Sequence, residues 1–278
     1  MQAIDTLHLG RRRWICCWRV GQVLVDPGPS LALGNVLAAL GDWRPRALLL
    51  THIHFDHAGG AGTLADMFPD LEVYVHERGA PHMIDPARLW ASAAQLYGEE
   101  NMLSLWGEFL PVPAERLRIL SGGETLRIGG ERFDVLYTPG HAKHHVCYLH
   151  DTTAFAGDVA GVRIDASTPT LPPTPPPDID VEAWLRSIEL LSGWHPRRLA
   201  ITHFGAYDDA GRQLDELRER LGRWARSARA QDREAWMADV ERDVRVAVSA
   251  EEFDSFMAAV PVDQSYAGLR RYWDLKER

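Results

Sequence analysis

Three histidines and an aspartate lie within the segment from Thr51 to His57, which reads T-H-I-H-F-D-H. Imidazole and carboxylate groups are side chains that zinc and similar transition metals prefer. His52 and His54 project to the same side of an extended segment, whereas Asp56 and His57 follow a turn and can face a second ion. One such histidine alone would indicate a packed core residue, but the whole string indicates a metal site.

The string lies where a predicted strand ends. The apolar run at residues 47–50 predicts a buried strand, and the small residues at 58–62 allow the backbone and ligands to approach closely. Ligands in α/β proteins tend to bind at the carboxyl ends of strands. The sequence therefore places the predicted metal site at the carboxyl end of a strand.

Three further strand-like runs end on a side chain that can bind a metal ion. His141 follows Thr-Pro-Gly at residues 138–140, Asp158 follows Gly157, and His203 follows Thr202. Each signal is weak alone, because an aspartate after a glycine is usually a turn residue. Together they repeat one pattern, in which a strand is followed by Gly or Thr and then by a ligand.

These segments make the chain resemble the metallo-β-lactamase superfamily. The matching pieces follow the order of the family between residues 24 and 203, and they begin with Leu-Val-Asp-Pro-Gly at residues 24–28. The resemblance implies an α/β fold, a four-layer αββα metallo-β-lactamase sandwich with a helical C-terminal extension. It places a metallo-β-lactamase-like domain at residues 1–207 and the extension, packed on that domain, at residues 208–278.

The resemblance also implies seven ligands for two divalent metal ions, with zinc favoured over iron or manganese. In the family arrangement, the first ion would be held by His52, His54 and His141, the second ion by Asp56, His57 and His203, and Asp158 would bridge the two.

Five other residues have a predicted or open role around the site. Asp26 matches a family aspartate that orients ligands from behind, although an ordinary Asp-Pro-Gly turn explains it equally well, and His145 is expected to act as a similar support. Lys143 and His144 depart from the family motif T-P-G-H-T-x-G-H, and each either contacts an anionic substrate group or stands in solvent. Arg163 either meets a substrate carboxylate or lies on the surface.

The implied centre favours hydrolysis. Two divalent ions, two carboxylates and a bridging hydroxide leave a charge of about +1, which suits an anionic transition state, and a metal-bound water has a pKa of roughly 7. Asp56 and Asp158 are predicted to be catalytic because both orient the hydroxide, and Asp56 accepts its proton as the leaving group departs. The predicted function is a metal-dependent hydrolase acting on a small ester, lactone or thioester.

Three alternatives stay open. A mononuclear iron persulfide dioxygenase would use only His52, His141 and Asp158, but the downstream Gly-Cys-Gly-Arg type segment of those enzymes is missing and His203 is present. A phosphodiesterase acting on a nucleotide is disfavoured by the net charge of −9. A non-enzymatic protein would keep the metal-bearing fold for binding or assembly through its helical tail.

Composition sets the remaining expectations. The 278 residues are 46% hydrophobic and 25% charged, as in ordinary globular proteins, and the net charge of −9 argues against non-specific nucleic-acid binding. Cys16, Cys17 and Cys147 form no disulfide framework and are expected to be buried. No signal core or membrane span is recognisable. We therefore expect a cytoplasmic protein whose partner is a small-molecule substrate.

Three segments lie outside the ligand set. Residues 80–110 predict a helical insert whose aromatic residues either pack onto the body or shape the substrate pocket. Residues 166–177, the Pro-rich segment, form either a stiff strap over the site or a plain connector to a helix cap at Asp178 or Asp180. The amphipathic tail at 208–278 packs on the body, contributes to the pocket or forms a homodimer.

Overall fold

The computed structural model describes every residue from Met1 to Arg278, and these residues divide into two compact units. Unit one comprises Met1–Tyr137 and Val146–Asp151, and unit two comprises Thr138–His145 and Thr152–Arg278. The predicted metal ligands are divided between the two units.

Six strands form the first sheet, which belongs wholly to unit one: β1 (Gln2–Asp5), β2 (Cys16–Val20), β3 (Val23–Val25), β4 (Ala47–Leu49), β5 (Glu72–His76) and β6 (Leu117–Leu120). The pairs β1–β2 and β2–β3 are antiparallel, and the three later pairs are parallel. The apolar residues of β4 are completely buried, as predicted. Because β3 and β4 are parallel neighbours, their carboxyl ends bring Asp26 beside the string that begins at His52.

Six helices accompany this sheet in unit one: α1 (Leu33–Leu40), α2 (Phe55–Ala58), α3 (Ala61–Met67), α4 (Ala80–Ile84), α5 (Ala87–Tyr97) and α6 (Met102–Trp106). The last three lie in the segment predicted to be a helical insert, and its status as an insert stays a prediction. Its aromatic side chains pack around Phe55, whose ring centroid lies 4.9 Å from that of Phe109 and 5.8 Å from that of Trp90. Packing onto the body is therefore one role of the insert.

The other six strands form the second sheet. Unit one contributes β7 (Thr125–Ile128), β8 (Glu131–Tyr137) and β9 (Val146–His150), and unit two contributes β10 (Thr153–Phe155), β11 (Arg198–Ile201) and β12 (Gly205–Tyr207). Within unit one the pairs are antiparallel, and within unit two β10 runs parallel to β11 while β12 runs antiparallel to it. Two mixed sheets with flanking helices confirm the predicted α/β sandwich.

Five helices complete unit two: α7 (Val181–Gly193), α8 (Ala210–Ala230), α9 (Arg233–Ala247), α10 (Ala250–Ala259) and α11 (Val262–Lys276). Asp180 caps α7 by accepting a hydrogen bond from the Ala183 amide, so the predicted cap is confirmed. The last four helices confirm the helical tail. The domain boundary after residue 207 stays a prediction.

The three cysteines are buried and none forms a disulfide bond. Burial raises the pKa of the Cys17 thiol well above its usual value, which keeps this side chain in the unreactive thiol form. No helix of the structure is both long enough and apolar enough to cross a membrane.

Candidate metal centre

The histidine string of unit one runs from the loop after β4 into α2: His52 and His54 precede the helix, and Asp56 and His57 lie within it. His52 and His57 are fully buried, and the Nε2 atom of His52 lies 3.0 Å from the Nδ1 atom of His54. Two imidazole nitrogens this close can bind the same ion, since zinc–nitrogen distances are about 2.0–2.1 Å. The Nε2 atom of His57 lies 3.9 Å from a carboxylate oxygen of Asp56. The local geometry therefore suits metal binding.

Asp26 lies directly behind this string and is completely buried. Its carboxylate accepts hydrogen bonds from the amide and the hydroxyl of Thr51, at 2.8 and 2.7 Å, and from Nδ1 of His57 at 2.8 Å. The Asp26 backbone has a φ of 48°, in the left-handed region that non-glycine residues rarely occupy. The strained backbone of Asp26 and the three hydrogen bonds to its carboxylate support its predicted role in orienting the ligands.

These bonds set the tautomers of two predicted ligands, His57 and His52. Because an ionised carboxylate only accepts, Nδ1 of His57 must donate to Asp26, and Nε2 is left as the nitrogen that can bind a metal ion. The single hydroxyl proton of Thr51 goes to Asp26, so the hydroxyl accepts from Nδ1 of His52 at 3.1 Å. His52 therefore also presents Nε2.

Unit two contributes three of the predicted ligands, and two of them, His141 and His203, lie beside the carboxylate of the third, Asp158. Asp158 lies in the 3₁₀ helix Gly157–Ala160 and is 4% exposed. One of its oxygens lies 3.4 Å from Nε2 of His141, and the other lies 3.7 Å from Nε2 of His203. An aspartate with an imidazole beside each oxygen has the geometry expected of a bridging ligand.

The Pro-rich segment contacts one of these ligands. The carbonyl of Pro173 lies 2.9 Å from Nδ1 of His141. Because a carbonyl can only accept, Nδ1 must carry the proton, and Nε2 of His141 is the nitrogen turned towards Asp158.

The last three residues of the segment that matches the family motif T-P-G-H-T-x-G-H, which are Lys143, His144 and His145, have different surroundings. His145 is buried, and its Nδ1 atom lies 2.8 Å from the hydroxyl oxygen of Thr138. His144 is also buried. The Lys143 side chain is 64% exposed, and its ammonium group forms an ion pair with Asp178 at 2.9 Å. The predicted roles of these three residues stay predictions.

Arg163 is completely buried, contrary to the expectation of a surface residue. Its guanidinium forms a bidentate ion pair with Asp209, at 2.6 and 3.0 Å, and donates to Gln213 and to the backbone carbonyls of Asp165 and Ala166. The guanidinium also lies 4.3 Å from the ring centroid of Tyr207. These contacts favour a structural role for Arg163 over the predicted contact with a substrate carboxylate.

The predicted ligands of each unit are of types that bind divalent transition-metal ions. Unit one offers three imidazoles and one carboxylate, and unit two offers two imidazoles and one carboxylate. Five of these seven residues are buried, and the hydrogen bonds of His52, His57 and His141 leave Nε2 of each ring available to a metal ion. This combination of nitrogen and carboxylate ligands suits zinc, iron or manganese.

Comparison with known proteins identifies the family. A model of the metallo-β-lactamase superfamily matches residues 21–203, which is more than half of the chain. The chain belongs to the metallo-β-lactamase superfamily. It is 31% identical to a hydroxyacylglutathione hydrolase of Salmonella typhi over 140 residues, and 32% identical to that of Salmonella paratyphi A over 142 residues. Each match covers 49% of this chain and 41% of the relative, so the chain spans less than half the length of these relatives.

Solved structures of the superfamily share the fold. An archaeal superfamily protein from Sulfolobus tokodaii has a TM-score of 0.73 at 22% identity and covers 97% of both chains. A family protein from Thermus thermophilus has a TM-score of 0.63 at 21% identity, covering 95% of this chain and 87% of the other. A third structure, described as di-iron-bound, has a TM-score of 0.54 at 27% identity, covering 73% of this chain and 93% of the other.

Two groups that bond to predicted ligands were not predicted from the sequence: the Thr51 hydroxyl and the Pro173 carbonyl. Thr51 links Asp26 to His52, and a polar residue at the end of a buried apolar strand was the available signal. The carbonyl of Pro173 left no signal, because backbone groups have no sequence signature.

The ion pair of Arg163 and Asp209 leads to a stability prediction. Asp209→Asn is expected to destabilise the protein by about 3 kcal/mol, because it leaves a buried guanidinium without its counter-charge. This value is at the low end of the roughly 3–5 kcal/mol typical of breaking a buried ion pair, because the Asp209 side chain is 38% exposed. The neighbouring Asp208→Asn, which breaks a more exposed pair with Arg198, is the control and should destabilise the protein much less.

The same pair predicts a pH dependence. The hydrogen bond from Arg163, with a further contribution from Arg212, lowers the pKa of Asp209 to about 2. Because the pKa is depressed in the folded state, the stabilisation is fully present above pH of about 4 and is lost as pH falls towards 2. Urea unfolding at about pH 7 and at about pH 2.5 should therefore show a smaller difference in stability between wild type and Asp209→Asn at the lower pH. An equal difference at both pH values would contradict this account.

Proposed function

We propose that the predicted ligands of unit one and unit two form one dinuclear metal centre, which hydrolyses a small thioester, ester or lactone. One ion would be held by His52, His54 and His141, the other would be held by Asp56, His57 and His203, and Asp158 would serve both. The observation that carries the proposal is the position of Asp158, whose two oxygens each lie beside the Nε2 atom of a different histidine. A relative described as di-iron-bound supports a count of two ions.

The side chains have separate roles in the reaction. Bound divalent ions would lower the pKa of a water molecule and polarise the scissile carbonyl group. Asp158 would fix the position of both ligand sets. Asp26 and Thr51 orient His52 and His57 and keep their Nδ1 protons away from the reacting groups. Asp56, which is 23% exposed at its side chain, is the proposed acceptor of the water proton and its donor to the leaving group.

The names of the relatives favour an acyl substrate, and the net charge of the chain disfavours a nucleic-acid substrate. The name hydroxyacylglutathione hydrolase describes removal of an acyl group from glutathione, which favours the thioester among the three candidate classes. The net charge of −9 does not favour a nucleic-acid substrate, because phosphate backbones bind to basic surfaces.

Metal analysis followed by a substrate screen tests this proposal. Protein purified without added metal should contain about two ions per chain by elemental analysis, as in two-metal hydrolases. It should cleave at least one acylated thiol, ester or lactone, and chelation followed by zinc addition should remove and restore the activity. One iron per chain with oxygen uptake on a persulfide would favour the dioxygenase alternative instead. Protein that neither contains nor binds metal would overturn the proposal.

A further inference from the structure

The Pro-rich segment lies between a proposed metal ligand and the last helix of the chain, and all three belong to unit two. On one side, the Pro173 carbonyl accepts the Nδ1 proton of His141. On the other side, the hydroxyl of the next residue, Thr174, donates to the backbone carbonyl of Ser265 in α11 at 3.1 Å. Both Thr174 and Ser265 are buried. Consecutive residues of this segment therefore bond to His141 and to α11.

Helix α11 approaches the Pro-rich segment at a glycine. A Cβ atom added at Gly268 would lie 2.9 Å from the carbonyl carbon of Pro175 and closer still to the carbonyl oxygen of Thr174. These are backbone atoms of a proline-rich stretch, so they cannot move aside as a flexible side chain would. Glycine in a helix interior destabilises the helix relative to alanine. Its presence here is explained by the close approach of the two backbones.

Other contacts fix the position of α11. The indole of Trp273 donates to the Ala225 carbonyl in α8 at 2.7 Å, and Arg271 donates to the Pro177 carbonyl at the end of the Pro-rich segment at 3.2 Å. At the other end of the segment, the hydroxyl of Thr170 donates to Glu216 of α8 at 3.3 Å. The C-terminal helices thus hold the Pro-rich segment at several points along its length.

We propose that helix α11 positions the metal ligand His141 through the Pro-rich segment, with Gly268 and Thr174 as positioning residues. Gly268 allows the segment to lie against α11, Thr174 fixes its register on the helix, and the adjacent Pro173 carbonyl holds His141 in the tautomer that presents Nε2. Hydrogen-bond partners of ligand histidines typically change metal affinity by about 10- to 100-fold when they are lost. The proposal rests on the assignment of His141 as a ligand under the proposed function.

The test compares Gly268→Ala with Gly211→Ala in the full chain. Gly211 also lies in a helix, α8, and a Cβ atom added there meets nothing within 4 Å. Gly268→Ala should weaken zinc binding by about 10-fold or more in a competition titration with a chromophoric chelator, whereas Gly211→Ala should leave it unchanged. The ligand-field spectrum of the cobalt-substituted protein should change only in Gly268→Ala.

A second measurement needs no metal. In long-range ¹H–¹⁵N spectra of the metal-free protein, His141 should be the Nδ1-protonated tautomer in wild type and in Gly211→Ala, and should lose that preference in Gly268→Ala. If Gly268→Ala does not fold, Thr174→Val decides, because it removes the bond to Ser265 with little change in shape. Zinc affinity within twofold of wild type, with an unchanged His141 tautomer in the folded variant, would overturn the proposal.

These readouts separate this inference from the proposed function. Wild-type protein that binds no metal would overturn the dinuclear hydrolase, while the tautomer of His141 in wild type and variant would still decide whether α11 acts on this histidine. A normal metal content in wild type together with unaltered variants would overturn the positioning role alone.

Discussion

Asp158→Ala is expected to remove at least one metal ion per chain and to lower hydrolytic activity by about 1,000-fold or more. The carboxylate lies beside the Nε2 atoms of His141 and His203, and its loss leaves those imidazoles without the group between them. Metal ions contribute several kcal/mol to stabilising transition-state charge. A loss of about 4 kcal/mol corresponds to a 1,000-fold slower reaction.

Elemental analysis and kcat/KM for whichever acyl substrate the wild type cleaves would measure this effect. Asp66→Ala is a suitable control, since Asp66 is an exposed helical aspartate of α3 that makes no contact with the ligands of its unit. We expect the control to match wild type in both measurements. Asp158→Ala protein that keeps both ions and loses less than tenfold in activity would rule out the bridging position proposed for Asp158.

The ligand candidates could be predicted from the sequence because they lie in four segments that each follow a strand. The string from His52 to His57 begins three residues after the last residue of β4, and His203 lies two residues after the last residue of β11. Apolar runs that end on Gly or Thr are local patterns, so a single sequence contains them. The strands and the helical tail were predictable for the same reason.

Contacts between distant parts of the chain could not be predicted in this way. Arg163 pairs with Asp209, which lies 46 residues later, and Thr174 bonds to Ser265, which lies 91 residues later. Periodicity and turn chemistry describe neighbours along the chain, and they carry no information about such partners. The sequence therefore predicted that Arg163 either contacts a substrate carboxylate or lies on the surface. In the structure it is buried and forms an ion pair with Asp209.

The Pro-rich segment and Asp26 show how a local pattern can support two interpretations. Prolines predict extended backbone, but they do not reveal whether a carbonyl such as that of Pro173 meets a ligand. The Asp-Pro-Gly sequence at Asp26 is equally compatible with an ordinary turn. Only the three hydrogen bonds of its carboxylate to Thr51 and His57 distinguish a supporting residue from a turn residue.

Asp26→Asn is expected to weaken metal binding by about 10- to 100-fold, the range typical of partners of ligand histidines. Asparagine keeps the size of the side chain but replaces one acceptor oxygen with an amide donor. If its oxygen stays on the Thr51 amide, the new NH₂ group faces the Thr51 hydroxyl and Nδ1 of His57. His57 can then accept at Nδ1 only by moving its proton to Nε2, the nitrogen that would bind metal.

The same substitution should cost about 1.5–3 kcal/mol of stability in the metal-free protein, because hydrogen bonds to a buried charge are lost. Asp232→Asn is the matched control: Asp232 accepts one backbone hydrogen bond as the N-cap of α9, where asparagine caps about as well as aspartate. Zinc competition, urea unfolding and the tautomer of His57 by NMR would measure the three effects. If Asp26→Asn bound zinc as tightly as Asp232→Asn and kept His57 protonated at Nδ1, Asp26 would be a turn residue whose carboxylate does not control the ligands.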